Sequence, residues 1–399
     1  MNKYLILISC MIFFWSCSEE NNRVPVTSDS TIPGRVSNIR VERLPGAVKL
    51  IYDMPEGQSL SYVKAECLIN GVIREAKASA YINTLTIEGF ADTSVYTINL
   101  YSVNRSEKAS EPVAVEAKPL SPNFREVFKT LQLYEDWGGA SVYFENPNEA
   151  DLAITVIFID SAGYWNHGET FYTKRLEGVV STRGYEPRMT QFGVYITDRW
   201  NNMTDTIVRS FTPRFEKQLD RLNFREVRLP NDAPLFGGTY LTPTIWDGRL
   251  AGDPCLVTNA DGNWPHWVTF DLGVAQGVLL SRTRMWQRGG SYTNMAYTDR
   301  NIKKFELWGC LNPPSTDGSW DSWTLLMDEE MIKPSGLPLG TTSEEDMEAW
   351  RNGHEFTFPL DVPYVRYIRL LVKESWSGIQ RFQVDEMMFW GQEPSDIVE

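Results

Sequence analysis

Two tryptophans stand in polar segments beside strand-like runs, where an exposed ring is well placed to hold a sugar. Trp264 lies in Asp261-Gly-Asn-Trp-Pro265, just before an alternating run, and Trp376 lies in Glu374-Ser-Trp-Ser-Gly378, just after one. The axial C–H groups of a pyranose stack on such a ring, while polar side chains bond its hydroxyls. Polar partners occur in similar loop contexts: His266, Arg288, Tyr292, Asn294 and Arg381. Together these residues predict a carbohydrate-binding site.

The motifs of catalysis are missing from the sequence. The three histidines, His167, His266 and His354, fall in different settings, and the chain has no Gly-x-Ser-x-Gly, His-Glu-x-x-His or phosphate loop. The acidic run at 344–346 reads as a solvated loop or a helix start. A glycosidase needs two carboxylates converging across a cleft, which sequence alone does not exclude. We therefore predict a protein that is not an enzyme, with a glycosidase as the least favoured alternative.

The sequence around these residues consists of short segments with the composition of β-strands. Four blocks of aromatic, β-branched and aliphatic residues, with Gly, Pro, Asn and Asp between them, indicate an antiparallel sandwich: 267–273, 304–309, 366–370 and 386–391. Their order resembles the discoidin domain, also called the coagulation factor type C or galactose-binding-like domain, over roughly residues 236 to 392. The resemblance implies a jelly roll that holds a ligand, often a sugar, on loops at one end.

Tryptophan is concentrated in this region, with ten of the fourteen between Trp246 and Trp390. Four of them lie inside strand-like alternations and are predicted to be core residues: Trp267, Trp286, Trp308 and Trp390.

The discoidin resemblance also implies one structural calcium ion. Asp247-Gly248 and Glu386 match the places from which that family supplies oxygen ligands. The acidic or amide residue usually found after the Asp-Gly pair is replaced here by Arg249 and Leu250. We therefore keep Asp247 and Glu386 as candidate metal ligands, with loss of the metal as the alternative.

An internal repeat organises the preceding 200 residues. The segment 46–60 aligns without a gap to 138–152, and Tyr96-Thr-Ile-Asn-Leu100 corresponds to Phe192-Gly-Val-Tyr-Ile196. Period-two alternation between turn signals predicts a small sandwich for each copy. The first copy resembles a fibronectin type III domain with a corner tyrosine at Tyr96, whereas Phe192 takes that place in the second. The predicted fold class is all-β, with two fibronectin III-like β-sandwiches followed by a discoidin-like jelly-roll β-sandwich.

The expected domain limits follow from these blocks: 33–118 and 119–234 for the two fibronectin III-like sandwiches, 235–393 for the binding domain, and 394–399 for a tail. In the second sandwich Tyr164, Trp165 and His167 form an aromatic cluster in a Gly-flanked loop. Such a cluster packs against a neighbouring domain more often than it touches a glycan.

The N-terminal residues of the sequence predict a signal peptide for export. Lys3 precedes an apolar run, Tyr4 to Trp15, that is too short to span a bilayer. Ser16-Cys17 resembles a bacterial lipoprotein processing site, so residues 1–16 are the expected signal peptide, Cys17 the lipidated residue and 17–32 a flexible stalk; Cys10 is the less favoured alternative. The acidic pair Glu19-Glu20 is similar to the signal that displays Bacteroidetes-type lipoproteins outside the outer membrane.

The composition of the chain excludes some classes of binding partner. A net charge of −14 argues against nucleic acid or an anionic membrane face, since both require a basic patch. Beyond Cys17 only Cys67, Cys255 and Cys310 remain, without metal-ligand spacing; a Cys255 to Cys310 bridge is left open.

Together these features resemble the lipoproteins of SusC/SusD-type glycan utilisation systems. That resemblance implies a cell-surface protein that captures polysaccharide or oligosaccharide for a neighbouring transporter, and that touches the membrane only through its lipid. The alternative is a surface adhesin that binds a host or matrix protein.

Overall fold

The structure of the chain is a computed structural model that describes residues 30–56, 60–259 and 264–397. Cys17, the predicted lipidation residue, lies outside these residues. Strands dominate the described chain and pair in antiparallel sheets, which confirms the predicted all-β class. Within the described residues no helix is both long and apolar enough to cross a membrane.

The first seven strands form two facing sheets. They are β1 Ser37–Leu44, β2 Ala47–Asp53, β3 Leu60–Ile69, β4 Val72–Ser79, β5 Thr84–Glu88, β6 Tyr96–Asn104 and β7 Val113–Ala117. The sheet orders are β1-β2-β5 and β4-β3-β6-β7. Side chains alternate across a strand, so Val63, Ala65, Cys67 and Ile69 of β3 all enter the core while the residues between them face outward.

The next seven strands follow the same plan. After a short helix, α1 Asn123–Phe128, come β8 Gln132–Asp136, β9 Gly139–Glu145, β10 Leu152–Ile159, β11 Trp165–Thr173, β12 Glu177–Thr182, β13 Thr190–Asp198 and β14 Ile207–Phe211. The sheet orders are β8-β9-β12 and β11-β10-β13-β14. Strand β9 thus takes the place of β2, and β13 takes the place of β6, as the repeat in the sequence predicts.

Two details of the repeat are visible in single residues. Gly46 and Gly138, which precede β2 and β9, have φ angles of 62° and 63°, a left-handed conformation that favours glycine. The corner tyrosine is present in the first sandwich, where the Tyr96 hydroxyl donates to Oδ1 of Asp92 at 2.9 Å. Phe192 is fully buried at the start of the corresponding β13 and carries no hydroxyl.

The remaining strands build the last sandwich. They are β15 Lys217–Gln218, β16 Arg225–Val227, β17 Leu256–Val257, β18 His266–Asp271, β19 Leu279–Trp286, β20 Ile302–Cys310, β21 Thr324–Glu330, β22 His354–Thr357, β23 Tyr367–Ser375, β24 Gln383–Val384 and β25 Glu386–Gln392. One longer helix, α2 Glu344–Asn352, precedes β22, and 3₁₀ turns lie at Arg221–Asn223, Thr242–Trp246, Thr293–Met295 and Pro394–Asp396.

The last sandwich has a four-stranded and a five-stranded sheet. Their orders are β15-β25-β19-β22 and β16-β18-β23-β20-β21, with β17 and β24 as a separate pair. Large buried side chains from both sheets fill the space between them, among them Phe270, Phe305 and Phe389. Strands β15 and β16 lie before residue 235, where the sequence pattern starts this domain, and supply an edge strand to each sheet.

Several loops meet at one end of this sandwich. The pairings His266 with Val372, Ile302 with Ser375 and Trp286 with Glu386 bring together the starts of β18, β20 and β25 and the ends of β19 and β23. We call the three segments 247–255, 287–301 and 376–382 the loop end. Most of the predicted site residues lie on it.

Contacts between Cα atoms divide the chain into two compact units. Among the described residues, one unit comprises those up to 133 with 142–180 and 192–209, and the other comprises 134–141, 181–191 and those from 210 onward. The three described cysteines, Cys67, Cys255 and Cys310, are buried free thiols, so the bridge left open between Cys255 and Cys310 is not formed.

Candidate ligand-binding site

The loop end contains a hollow of about 300 Å³. The segments 247–255 and 287–301, helix α2 and Asp385 enclose it. Its lining residues are Leu250, Trp286, Gly289, Gly290, Thr293, Trp350, Arg351 and Asp385. It therefore combines two indole rings with a hydroxyl, a guanidinium and a carboxyl group, the composition expected of a small-ligand site.

Both indole rings are fixed by hydrogen bonds. Nε1 of Trp286, at the end of β19, donates to the Arg351 carbonyl at 3.2 Å, and Nε1 of Trp350, on α2, donates to the Arg288 carbonyl at 3.2 Å. A Cβ at Gly353 would lie 2.5 Å from the Trp286 ring, so the glycine lets the chain after α2 pass over it. The rings are 6% and 5% exposed, and they wall the hollow with rigid apolar surface.

The N-terminus of helix α2 is capped by two of its own side chains. The Ser343 hydroxyl accepts the Asp346 backbone N–H at 3.2 Å, and the Asp346 carboxylate accepts that of Ser343 at 2.9 Å. This reciprocal cap satisfies two N–H groups that a helix start leaves unpaired. The acidic run at 344–346 is therefore a helix start, the second of the two readings that the sequence allowed.

Asp385 is the carboxyl group of the hollow. It is fully buried, and its Oδ1 accepts the backbone N–H of Gly252 at 3.0 Å. Burial raises the pKa of Asp385 to about 7, against an ordinary value of 3.8. At neutral pH the group can therefore donate a hydrogen bond as well as accept one.

Two predicted residues, Arg288 and Tyr292, come into direct contact beside the hollow. The guanidinium carbon of Arg288 lies 3.9 Å from the Tyr292 ring centroid and 5.8 Å from that of Tyr240. Its Nε donates to the Gly252 carbonyl at 2.7 Å, and the side chain is buried. The Arg288 guanidinium therefore links the segments 247–255 and 287–301 from a buried position, and its contact with a carbohydrate stays a prediction.

The other predicted polar residues are spread over this end. Asn294 is exposed on the 3₁₀ turn 293–295, and Arg381 is half-buried in the segment 376–382. His266 is the first residue of β18 rather than a loop residue, with its ring centroid 4.9 Å from that of Trp264. None of these three lines the hollow.

Trp264 and Trp376 differ from the exposed platforms that the sequence predicts. Trp264 is half-buried against the main core of the last sandwich; the four residues before it lie outside the described chain. Trp376 is half-buried in a small cluster with Tyr297 and Trp350, and its ring centroid lies 5.3 Å from that of Tyr297 in an edge-to-face arrangement. Each ring therefore contributes to packing.

The excess of tryptophan has a structural explanation. Trp267 and Trp308 lie in strands as predicted, but they are half-buried outside the main core, where Trp320 packs edge to face on both at 5.2 Å. The fully buried Arg369 guanidinium lies 4.2 Å from the Trp320 ring centroid.

Trp390 is also half-buried, with the Arg282 guanidinium 3.9 Å from its ring centroid, so among the four predicted core tryptophans Trp286 alone is buried. No motif in the sequence indicates that Trp286 and Trp350 line the hollow, although the Ser343-x-x-Asp346 spacing signals the helix that carries Trp350.

The residues proposed for calcium do not fit that ion. Glu386 is fully buried, accepts the Gly248 backbone N–H at 3.1 Å, and lies 3.8 Å from Nη1 of Arg221. Burial raises the pKa of Glu386 to about 8. Calcium requires several oxygen ligands, whereas this carboxyl group faces N–H donors and a guanidinium.

The remaining carboxylates nearby do not complete a calcium site. Asp247 accepts the Arg249 backbone N–H, and the described residues contain no group of three or more His, Cys, Asp or Glu that could hold a metal. Calcium binding stays an untested prediction, and the donor set argues against it.

Three family models match the chain. They are domains of unknown function: DUF4959 over residues 33–119, DUF5126 over 120–222 and DUF5000 over 246–391. No catalytic family is among them. No curated protein sequence matches the chain.

Solved structures give a further comparison. The chain is 30% identical to the SusE-like protein BT2857, covering 68% of this chain and 99% of that one, with a TM-score of 0.44. The C-terminal domain of a chitobiase (BF3579) from Bacteroides fragilis is 10% identical over 44% and 98% of the two chains, with a TM-score of 0.31. A two-domain fibronectin type III segment from chicken tenascin is 12% identical over 45% and 99%, with a TM-score of 0.22. The last two are too remote to indicate a function.

The fold is a chain of successive β-sandwiches, and the last sandwich has a hollow among its loops. Identity to BT2857 over nearly the whole of that protein identifies the family: the chain belongs to the SusE-like proteins. This confirms the Sus-system part of the resemblance seen in the sequence. The discoidin resemblance of the last sandwich stays a prediction.

Proposed function

We propose that this protein is a non-catalytic, cell-surface carbohydrate-binding lipoprotein that captures glycan for a SusC/SusD-type uptake system. The observation that carries the proposal is the hollow of about 300 Å³ walled by the fixed rings of Trp286 and Trp350. The parts of these rings that line the hollow present apolar surface to the C–H groups of a sugar, and the exposed Thr293 and Arg351 supply groups for its hydroxyls.

The same residues argue against hydrolysis. Glycoside hydrolysis uses two carboxyl groups that face each other across the bond to be cleaved. Asp385 is the single carboxyl group among the residues that line the hollow, and its oxygens already accept the Gly252 backbone N–H. Binding without cleavage is therefore the activity that this site supports best.

Attachment to the outer membrane through Cys17 is part of the proposal. The Ser16-Cys17 pair after an apolar run, the acidic pair Glu19-Glu20 and membership of the SusE-like family support it. Replacing Cys17 with Ala in the producing cell should abolish labelling by a radioactive fatty acid and release the chain from the membrane fraction. Unchanged labelling would assign the lipid to another residue, and Cys10 is the candidate to test next.

Glycan capture is tested with the lipid-free chain, starting at residue 18. It should be retarded in native gels that contain one of a panel of polysaccharides: amylopectin, galactomannan, xyloglucan, yeast mannan or polygalacturonate. Fragments of the retarding polymer should compete, and no reducing ends should be released during the run. Absence of retardation by every polymer, together with binding to an extracellular-matrix protein that no sugar competes away, would instead support an adhesin.

A further inference from the structure

The second sandwich carries a larger hollow on its four-stranded sheet. It has a volume of about 440 Å³ and belongs entirely to the first compact unit. The lining residues are Asp151, Leu152, Ala153, Tyr172, Thr173, Lys174, Thr197, Asp198 and Arg199. They come from β10, β11 and β13 and from the residues that flank these strands.

Strand register explains the shape of this hollow. Ala153 on the central β10 pairs directly with Tyr172 on one side and with Thr197 on the other, so all three side chains point to the same face of the sheet. The small Ala153 leaves a low floor between two taller neighbours. Tyr172 is 85% exposed, so almost its whole ring is available beside that floor.

The charged residues that line this hollow are balanced in sign, with Asp151 and Asp198 against Lys174 and Arg199. Nζ of Lys174 lies 2.9 Å from Oδ1 of Asp151, and Arg199 pairs with Glu88, which lies outside the lining. The side chains of these two ion pairs are between 44% and 66% exposed, and exposed ion pairs contribute little to stability. These side chains can therefore give up their ion pairs and hydrogen-bond the hydroxyls of a ligand with only a small loss of free energy. Because the charges balance, a neutral ligand suits the hollow better than an ionic one.

A second hollow, of about 280 Å³, adjoins the first. Both hollows belong to the same compact unit and have Asp151, Leu152, Asp198 and Arg199 in common. Two adjoining hollows of this volume suit a ligand of more than one linked unit.

We propose that this groove beside Tyr172 is a second carbohydrate subsite, which takes a neutral oligosaccharide segment of the glycan that the loop end of the last sandwich binds. The subsite rests on the glycan-binding function proposed above. The Tyr172 ring stacks on a pyranose, while Lys174, Asp151 and Arg199 bond hydroxyls along the groove. Two subsites on one chain raise the avidity for a polymer, because the second contact forms within an already bound complex.

The test isolates this subsite in a chain whose other site is blocked. Thr293→Trp fills the hollow of the last sandwich, and Tyr172→Ala or Tyr164→Ala is added to it. Tyr164 is 72% exposed immediately before β11 and does not line the groove, so it is the matched control. Retardation of the lipid-free variants is measured in gels with amylopectin, galactomannan, xyloglucan, yeast mannan and polygalacturonate, and melting temperatures confirm folding.

We expect Thr293→Trp alone to keep weak retardation by a neutral polymer. Adding Tyr172→Ala should raise its dissociation constant roughly tenfold, and adding Tyr164→Ala should leave it unchanged. Equal retardation of the two double variants, or complete loss of binding in Thr293→Trp alone, would overturn the second subsite while glycan capture stands. Failure of every polymer to retard the unmodified chain would overturn both. Retardation by polygalacturonate alone would contradict the neutral ligand.

Discussion

The hydroxyl oxygen of Tyr297 lies 3.1 Å from Nε2 of His354, behind the loop end of the last sandwich. The same hydroxyl donates to the Asp346 carbonyl at 3.2 Å. A hydroxyl has one proton, so its oxygen is left to accept a bond and the Nε2–H form of His354 becomes the donor. The ring of Tyr297 supports Trp376 edge to face, which makes this histidine a support for the segments 287–301 and 376–382.

The half-buried His354 predicts a loss of stability in acid. Burial lowers the pKa of His354 from 6.5 to about 4. Between these two values the unfolded chain binds a proton that the folded chain does not, so the free energy of unfolding falls as the pH drops through this window. We expect His354→Gln to remove up to about 3 kcal/mol of that fall, because an amide does not titrate and can still bond Tyr297.

Urea unfolding of both chains from about pH 7.5 to about pH 4 measures this effect. At the upper limit His354 is neutral in both states, so the difference there reports packing alone. Parallel stability curves for the two chains across the whole range would contradict the prediction.

The three cysteines predict a simple chemical result. Burial raises the pKa of Cys67 to about 11, that of Cys255 to about 12 and that of Cys310 to about 11, so the reactive thiolate is scarce and shielded. The lipid-free chain from residue 18 should not react with Ellman's reagent when folded. It should titrate three thiols in guanidinium chloride without any reductant. One thiol under those conditions would demonstrate a disulfide.

The strand pattern was predictable from the sequence because burial alternates residue by residue. Copies of one sandwich also repeat their turn glycines, as Gly46 and Gly138 do. The site was less predictable because its lining residues, which run from Leu250 to Asp385, are far apart in the sequence and come together only in the fold. The alternating pattern that ends at Trp286 predicts a core residue, yet its ring both packs and lines the hollow. The polar neighbours of Trp376 predict exposure, yet Tyr297 and Trp350, distant in sequence, cover it. Strands β15 and β16 have two and three residues, too few to form a pattern.

Blocking the hollow of the last sandwich should abolish strong glycan binding without harming the fold. Thr293 is exposed on the 3₁₀ turn and lines the hollow, so Thr293→Trp places a large ring in the space that a sugar would take. We expect binding to the preferred oligosaccharide to weaken by at least roughly tenfold in calorimetry, with the melting temperature almost unchanged.

The neighbouring Ser291 supplies the control for this change. It is also exposed on the same segment but does not line the hollow, so Ser291→Trp should bind as the unmodified chain does. If both variants keep full affinity, the ligand lies elsewhere on the loop end, and Asn294 and Arg381 become the residues to test.

The contact between Arg221 and Glu386 predicts that calcium does not change the thermal stability of the protein. A guanidinium already lies 3.8 Å from the buried carboxyl group, and a Cβ at Gly248 would come within 1.4 Å of Nη1 of Arg221, so the side chain fills the space against the Asp-Gly turn. We expect the same melting temperature, within about 1 °C, in millimolar calcium chloride and in EDTA.

The variant Arg221→Ala should lower the free energy of unfolding by about 1 kcal/mol, a small value because the arginine is 40% exposed. Arg249→Ala is the matched control, since that residue is exposed on the same turn and the bond to Asp247 uses its backbone N–H. A rise of several degrees on adding calcium to the unmodified chain would show that Asp247 and Glu386 hold a metal after all, with Arg221 displaced from the carboxyl group.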